Sequence, residues 1–229
     1  MLLQGITTNT TMALVAGTIM VLSVLFARAA AKHQGNNVAG FGWAFIALGS
    51  YLGLFGLHMA MTWPLAQIDG AFCCKVDNYT FGEPAAFFGI LTFIAGIAIV
   101  RGDSLALHGV REFDVVRTLR PILYVAAIGG VGLIFIAIGG MHFGMWRPPT
   151  VEPVARLMAG QLIEPLIMMT LYMGSGVGAL LAPFAPSHKT VAKIATIIIW
   201  GIGMLWIFLS FTVFYSHIGF FPQPDGSYI

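Results

Sequence analysis

The chain has 229 residues, of which 58% are apolar and only 9% charged, with a mean hydropathy of +0.88. A soluble domain carries about a quarter charged residues, so eleven basic and nine acidic side chains exclude a water-facing globule, a disordered chain and a nucleic-acid-binding protein. The net charge of +2 gives no partner preference, and two adjacent cysteines, Cys73 and Cys74, cannot make a framework of bridges.

A helix crosses a bilayer core of about 30 Å with roughly 20 apolar residues, and six runs qualify. The first, 11–31, has no basic segment before it and Arg28 and Lys32 at its far end. That order is the reverse of a cleaved secretory signal, so a retained helix is expected. The second, 39–61, carries Gly49 and Gly53 as a small-xxx-small face. The third, 84–100, follows Gly82-Glu83-Pro84, and the fourth runs 121–143, a rise of about 34 Å. The fifth, 164–183, follows Ile163-Glu164-Pro165 and is thinned by Gly174, Gly176 and Gly178; the sixth is 191–216. Barrel strands need only about 10 residues and alternate in polarity. The expected fold is therefore an all-α integral membrane protein, a single membrane domain over 1–229 with six transmembrane helices.

Basic residues set the orientation. Arg28, Lys32, Arg101, Arg111, Arg117, Arg120, Lys189 and Lys193 fall in the connections 1–2, 3–4 and 5–6, whereas Lys75, Arg147 and Arg156 fall on the other side. Both termini are expected to be extracytoplasmic, together with the longer connections, about 62–83 and 144–163.

Helix 2 ends in Gly56-Leu57-His58-Met59-Ala60-Met61-Thr62-Trp63-Pro64, and helix 4 in Gly140-Met141-His142-Phe143-Gly144-Met145-Trp146-Arg147-Pro148. Helix 6 ends in a looser copy, Tyr215-Ser216-His217-Ile218-Gly219-Phe220-Phe221-Pro222. Glu83 precedes His142 by 59 residues and Glu164 precedes His217 by 53; Gln4 and Asn9 are the polar candidates at the corresponding start of the first unit. The chain thus reads as three hairpins, about 9–61, 84–143 and 164–217, each entering at a polar residue and leaving at a His. Same-direction repeats are related by an axis along the membrane normal, which would bring His58, Glu83, His142, Glu164 and His217 to one depth near one axis.

Three imidazoles and two carboxylates suit iron, copper, manganese or zinc, and ionisable groups at membrane depth commonly mark function. These five residues are the expected metal ligands, one or both glutamates alternatively handling protons. The bland alternative is also coherent. Glu-Pro is a favourable helix start, and His with Trp63 and Trp146 near helix ends fits an interfacial belt. His33, His108 and His188 fall in the basic loops and read as solvated. The segment Val151–Leu162 reads as a short interfacial piece. Tyr79, Tyr172 and Tyr215 are minor candidates for radical or proton transfer. Cys73 and Cys74 read as free thiols or an intermolecular bond, since a bridge between neighbours is strained.

The stretch Gly56-Leu57-His58-Met59-Ala60-Met61-Thr62-Trp63-Pro64-Leu65, followed by Asn78-Tyr79-Thr80-Phe81-Gly82-Glu83-Pro84, resembles a bacterial and archaeal membrane family, that of domain of unknown function 981. The resemblance implies a small multi-pass protein of the cell membrane and transfers no activity.

The leading functional expectation is a membrane metalloprotein, in enzyme terms a metal-dependent oxidoreductase. It would act at the outer face on dioxygen, superoxide or a small apolar substrate, alone or with other membrane subunits or as a homo-oligomer. A b-type haem protein with two axial His is the alternative, although no helix carries two His about four turns apart. A transporter would need ionisable groups deeper in the bundle. A non-catalytic assembly subunit, docking through small-residue faces, is the remaining alternative.

Overall fold

The computed structural model describes residues 3–32, 38–62, 75–110, 113–146 and 162–214. They form six long helices: α1 (Leu3–Lys32), α2 (Ala39–Thr62), α3 (Lys75–Leu107), α4 (Val115–His142), α5 (Ile163–Leu181) and α6 (Lys189–Leu209). A 3-10 turn, Ala182–Ser187, extends α5 and a π-helical turn, Ser210–Phe214, extends α6. All six are long and apolar enough to span a membrane, and no strand occurs among the described residues. Large apolar side chains such as Ile128, Phe135 and Leu54 face outward, as they do where lipid replaces water.

Helices α1, α3 and α4 exceed their apolar runs because flanking polar turns continue the helix. The largest difference is in α3, which begins at Lys75, so that Glu83-Pro84 lies inside it rather than opening it. Likewise α4 begins before Pro121, where Asp114 caps it by accepting a hydrogen bond from the Arg117 amide at 2.9 Å. Ile163-Glu164-Pro165 does open α5, and Pro183 and Pro186 convert its far end to the tighter turn.

Neighbouring helices run antiparallel and touch in the cyclic order α1-α2-α3-α4-α5-α6, with α6 closing onto α1. The ring alternates in tightness. The closest packing is between α2 and α3, α4 and α5, and α6 and α1; the pairs α1–α2, α3–α4 and α5–α6 touch less. The close pairs therefore fall between the expected hairpins, not inside them. Glycine explains the difference. A Cβ on Gly49 would come within 2.5 Å of the Phe93 amide, one on Gly130 within 2.6 Å of the Gly176 carbonyl, and one on Gly17 within 2.5 Å of the Gly203 carbonyl. Backbone meets backbone at each of these seams, the geometry small residues permit in lipid.

One end of the ring, the N-terminal end, holds the start of α1, the starts of α3 and α5, and the ends of α2, α4 and α6. At the opposite end the Asp103 side chain of α3, only 2% exposed, accepts from the Val38 amide at 3.3 Å. It caps the start of α2 and complements the helix dipole there. Two helix ends turn the chain back onto the bundle through glycines with φ of 66°, Gly109 after α3 and Gly144 after α4. In each, the amide beyond the glycine bonds a carbonyl five residues back, Val110 to Leu105 at 3.0 Å and Met145 to Gly140 at 2.8 Å. These bonds, with the left-handed glycine, make a Schellman termination. Each reversal sets an aromatic ring into a glycine notch, Phe113 on Gly102 and Trp146 on Gly140.

Candidate functional site

Four of the expected ligands, His58, Glu83, His142 and Glu164, lie at the N-terminal end on four different helices. His58 lies in the last turn of α2 with its side chain exposed, its carbonyl accepting from Thr62 Oγ1 at 2.7 Å. Glu83 is exposed on α3 next to Pro84. His142 ends α4 and is exposed, its ring edge-to-face with Phe143 at 4.7 Å. Glu164, in the first turn of α5, is half-buried with Oε2 fully enclosed. His217 lies outside the described residues, as do His33, Trp63, Cys73, Cys74, Tyr215 and the segment 151–161. Among the described residues no three His, Cys, Asp or Glu side chains come together in a group that could hold a metal ion. His108 and His188 are exposed at the opposite end, His108 Nδ1 donating to the Ser104 carbonyl at 2.7 Å.

The His motifs of α2 and α4 acquire separate structural explanations. Gly56 lets α2 meet α3, since a Cβ there would lie 2.8 Å from the Gly82 carbonyl. Gly140 instead receives the Trp146 indole, and Gly144 supplies the left-handed turn that brings it there. The shared glycine-before-His spacing thus serves two kinds of packing.

What the structure gathers at this end is an aromatic and polar cluster. Tyr172 of α5 stacks on Trp146 with centroids 5.0 Å apart and packs edge-on against Trp206 of α6 at 5.9 Å; Trp206 in turn stacks on Phe214 at 6.4 Å. Phe81 of α3 closes the group against Tyr172 and Phe214. The Tyr172 hydroxyl donates to the Thr80 carbonyl at 2.6 Å. That carbonyl lies four residues before Pro84, so it has lost its helical donor to the proline, and Tyr172 supplies the replacement from across the ring. Trp206 Nε1 donates to Ser175 Oγ at 3.2 Å, and Thr10 Oγ1 donates to the Phe214 carbonyl at 2.9 Å, tying α1 to the π turn. Asn78 and Ser210 are fully buried in the same region. Sequence reasoning missed Thr80, Ser175, Trp206 and Asp103. The position of Pro84 was the usable clue to Thr80, because a proline inside a helix names the carbonyl it orphans.

Beneath the cluster lies a partly open cavity of about 300 Å³ to which all six helices contribute. Its wall runs from Asn9 and Phe81 at the N-terminal end to Ser23, Ala95 and Ile122 towards the other. The hydroxyls in the wall turn back on the protein: Ser23 donates to the Ile19 carbonyl and Thr92 to the Phe88 carbonyl, both at 2.8 Å. Among the described residues no Asp, Glu, Lys, Arg or His lines it. The chamber can accept an apolar body and, among the described residues, offers an ion no charged side chain.

A ring of six apolar helices around an apolar chamber defines a multi-pass membrane protein. The chain belongs to the family described as protein of unknown function DUF981, which it matches over residues 5–219. No curated protein and no solved structure matches it.

Proposed function

We propose that this protein takes a small apolar molecule into the centre of its helix ring and presents it to the N-terminal end, which faces the outside of the cell membrane. The single observation that carries the reading is the central cavity of about 300 Å³, with no charged side chain among the described residues of its wall, a size and character typical of small-molecule sites. The orientation rests on the distribution of basic residues between the two ends. The three-unit repeat is part of the reading. Alternating close and loose seams around a closed ring of six are what three units about one axis would produce. Solvent extraction of the purified chain, followed by mass spectrometry, is expected to release an apolar molecule at near one per chain. Ala126→Phe, which fills the wall, should abolish the recovery. Equal recovery from both proteins would overturn the reading.

A second reading keeps redox chemistry on a metal such as iron, copper, manganese or zinc. It is favoured by the placement of His58, Glu83, His142 and Glu164 at one end of the ring and by the enclosed Oε2 of Glu164. Because His58, Glu83 and His142 are exposed, a centre that used them would be completed by His217, a second copy or another subunit. Elemental analysis of the detergent-purified protein is expected to find transition metal that is lost in His58→Ala and His142→Ala. Metal content unchanged in both variants would remove this reading.

A further inference from the structure

We infer that the molecule held in the ring comes from the interior of the bilayer, as a neutral apolar compound dissolved there, and enters sideways between α3 and α4 past the ring of Phe87. The inference rests on the proposed apolar-molecule reading and names the source of that site's ligand. Three observations carry it.

The first is that both ends of the ring are packed. Towards the N-terminal end, Trp146, Tyr172, Trp206 and Phe214 are each less than a tenth exposed and pack ring against ring. At the opposite end Val38, Ile99, Phe113 and Leu119 belong to one buried apolar cluster, against which Ala95 and Ile122 of the cavity wall rest. The cavity is partly open, and packed ends direct that opening to the side of the ring.

The second is that one seam lacks a seal. The pairs α2–α3, α4–α5 and α6–α1 meet backbone to backbone. Between α1 and α2 the buried Met12, Ile19, Leu52 and Met59 pack together. Between α5 and α6, Leu171, Trp206 and Leu209 do the same, and Ile202 and Ile199 fill the notches at Gly174 and Gly178. Between α3 and α4 the wall is different. Leu91 of α3 and Leu123 and Ala126 of α4 line the cavity yet are only half-buried, and among the described residues they belong to no buried cluster. On the outer faces of the same helices, Ile90, Ile94, Val125 and Ile128 are exposed. No residue from 84 to 100 or from 121 to 141 is Asp, Glu, Lys, Arg or His. The path therefore sets no polar barrier before an apolar molecule, whereas an ion would have to shed its water in hydrocarbon to use it.

The third is the contact that crosses this seam. Phe87 of α3, 37% exposed, lays its ring in the notch at Gly129 of α4, where a Cβ would collide with it. The Phe88 ring, part of the cavity wall, packs edge-on against it at 5.2 Å. Lipid tails are as apolar as the notch, so the Phe87 ring loses little by swinging outward. Rotamer changes of exposed side chains take picoseconds to nanoseconds, and such a latch opens without moving a helix.

The test is photolabelling of the full-length chain in nanodiscs by adamantyl diazirine dissolved in the bilayer, flashed at increasing delays and read residue by residue by mass spectrometry. Met20 and Ser175, which line the cavity and touch each other, report arrival inside. Phe135 and Ile197, 69% and 62% exposed on the outer faces of α4 and α6, report the probe in the lipid. With Cys73→Ser and Cys74→Ser in place, Phe87→Cys and Gly129→Cys are tethered by a short bis-methanethiosulfonate, which fixes the seam and is released by reductant. At the shortest delay the tethered chain is expected to show at least tenfold less label on Met20 and Ser175 than the native chain. Reduction should restore that label, and Phe87→Ala, which removes the ring alone, should speed it. Phe135 and Ile197 should be labelled equally throughout. Equal inner labelling of the tethered, reduced and native chains would overturn this entrance while leaving the cavity in place, and an unchanged rate in Phe87→Ala would remove the latch. If Met20 and Ser175 of the native chain stay unlabelled at every delay while Phe135 and Ile197 are labelled, the apolar-molecule reading falls as well.

Discussion

A helical carbonyl four residues before a proline has no amide to bond, and inside a membrane no water replaces it. In α3 that carbonyl belongs to Thr80, and the Tyr172 hydroxyl reaches it at 2.6 Å from α5. The bond couples two residues distant in sequence, which makes it measurable by a double-mutant cycle. Tyr172→Phe should destabilise the protein by about 1 kcal/mol, in the range of hydrogen bonds within folded chains and membrane bundles. Pro84→Ala restores a backbone donor to Thr80, so Tyr172→Phe made in that background should cost markedly less. Unfolding in mixed micelles by a titrated denaturing detergent gives the four free energies, and strict additivity would show that the hydroxyl does not serve this carbonyl. The same pair shows what was readable from sequence. Glu83-Pro84 has the form of a helix start, and its twin Glu164-Pro165 is one. In α3 the helix begins at Lys75 instead, because local preference for proline in the first turn yields once a partner supplies the missing bond. The placement of His58, Glu83, His142 and Glu164 at one end of the bundle was legible in the sequence. The exposure of His58, Glu83 and His142 was not, since it depends on the rotation of each helix in the ring.

Glycine sets the spacing between elements, and its effect depends on which face of the helix it occupies. Gly130 and Gly132 are two residues apart on α4, yet a Cβ on Gly130 would lie 2.6 Å from the Gly176 carbonyl while one on Gly132 meets nothing within 4 Å. Gly130→Ala should therefore force α4 and α5 apart at a cost of about 1–3 kcal/mol, the usual range for overpacking. Gly132→Ala should be neutral or slightly stabilising, because alanine restricts the unfolded chain and strains nothing in the helix. The detergent titration used for Tyr172 compares them directly, and equal effects would mean that α4 is rotated from its position here. Gly49, Gly53, Gly174, Gly176 and Gly178 were recognisable in the sequence as thin helix faces, and all five do sit against a neighbouring helix. Their partners were hidden. Spacing along one helix reveals that something approaches closely but not which helix approaches. The expected hairpins consequently did not reveal that the close seams lie between α2 and α3, α4 and α5, and α6 and α1.

The ring as a whole fixes which surfaces share a side of the membrane. Val110, 69% exposed after α3, and the exposed Ser187 before α6 lie at one end, whereas Phe143, 76% exposed after α4, lies at the other. Six spans in alternating directions permit no other grouping. With Cys73 and Cys74 first replaced by serine, single cysteines at Val110, Ser187 and Phe143 can be probed with a membrane-impermeant maleimide on intact cells and on inverted vesicles. Val110→Cys and Ser187→Cys should react together, and Phe143→Cys from the opposite side. Six crossings and the basic-residue asymmetry make separate claims, which the pattern separates. Basic residues crowd the connections at the Val110 end, so positive-inside logic assigns Phe143→Cys to the reagent on intact cells and the other two to inverted vesicles. Reversal of all three would invert the protein in the membrane and move the cluster of Trp146, Tyr172 and Trp206 to the cytoplasmic side, leaving the ring intact. Reaction of Val110→Cys and Phe143→Cys from the same side would break the ring itself, since α4 would then not cross.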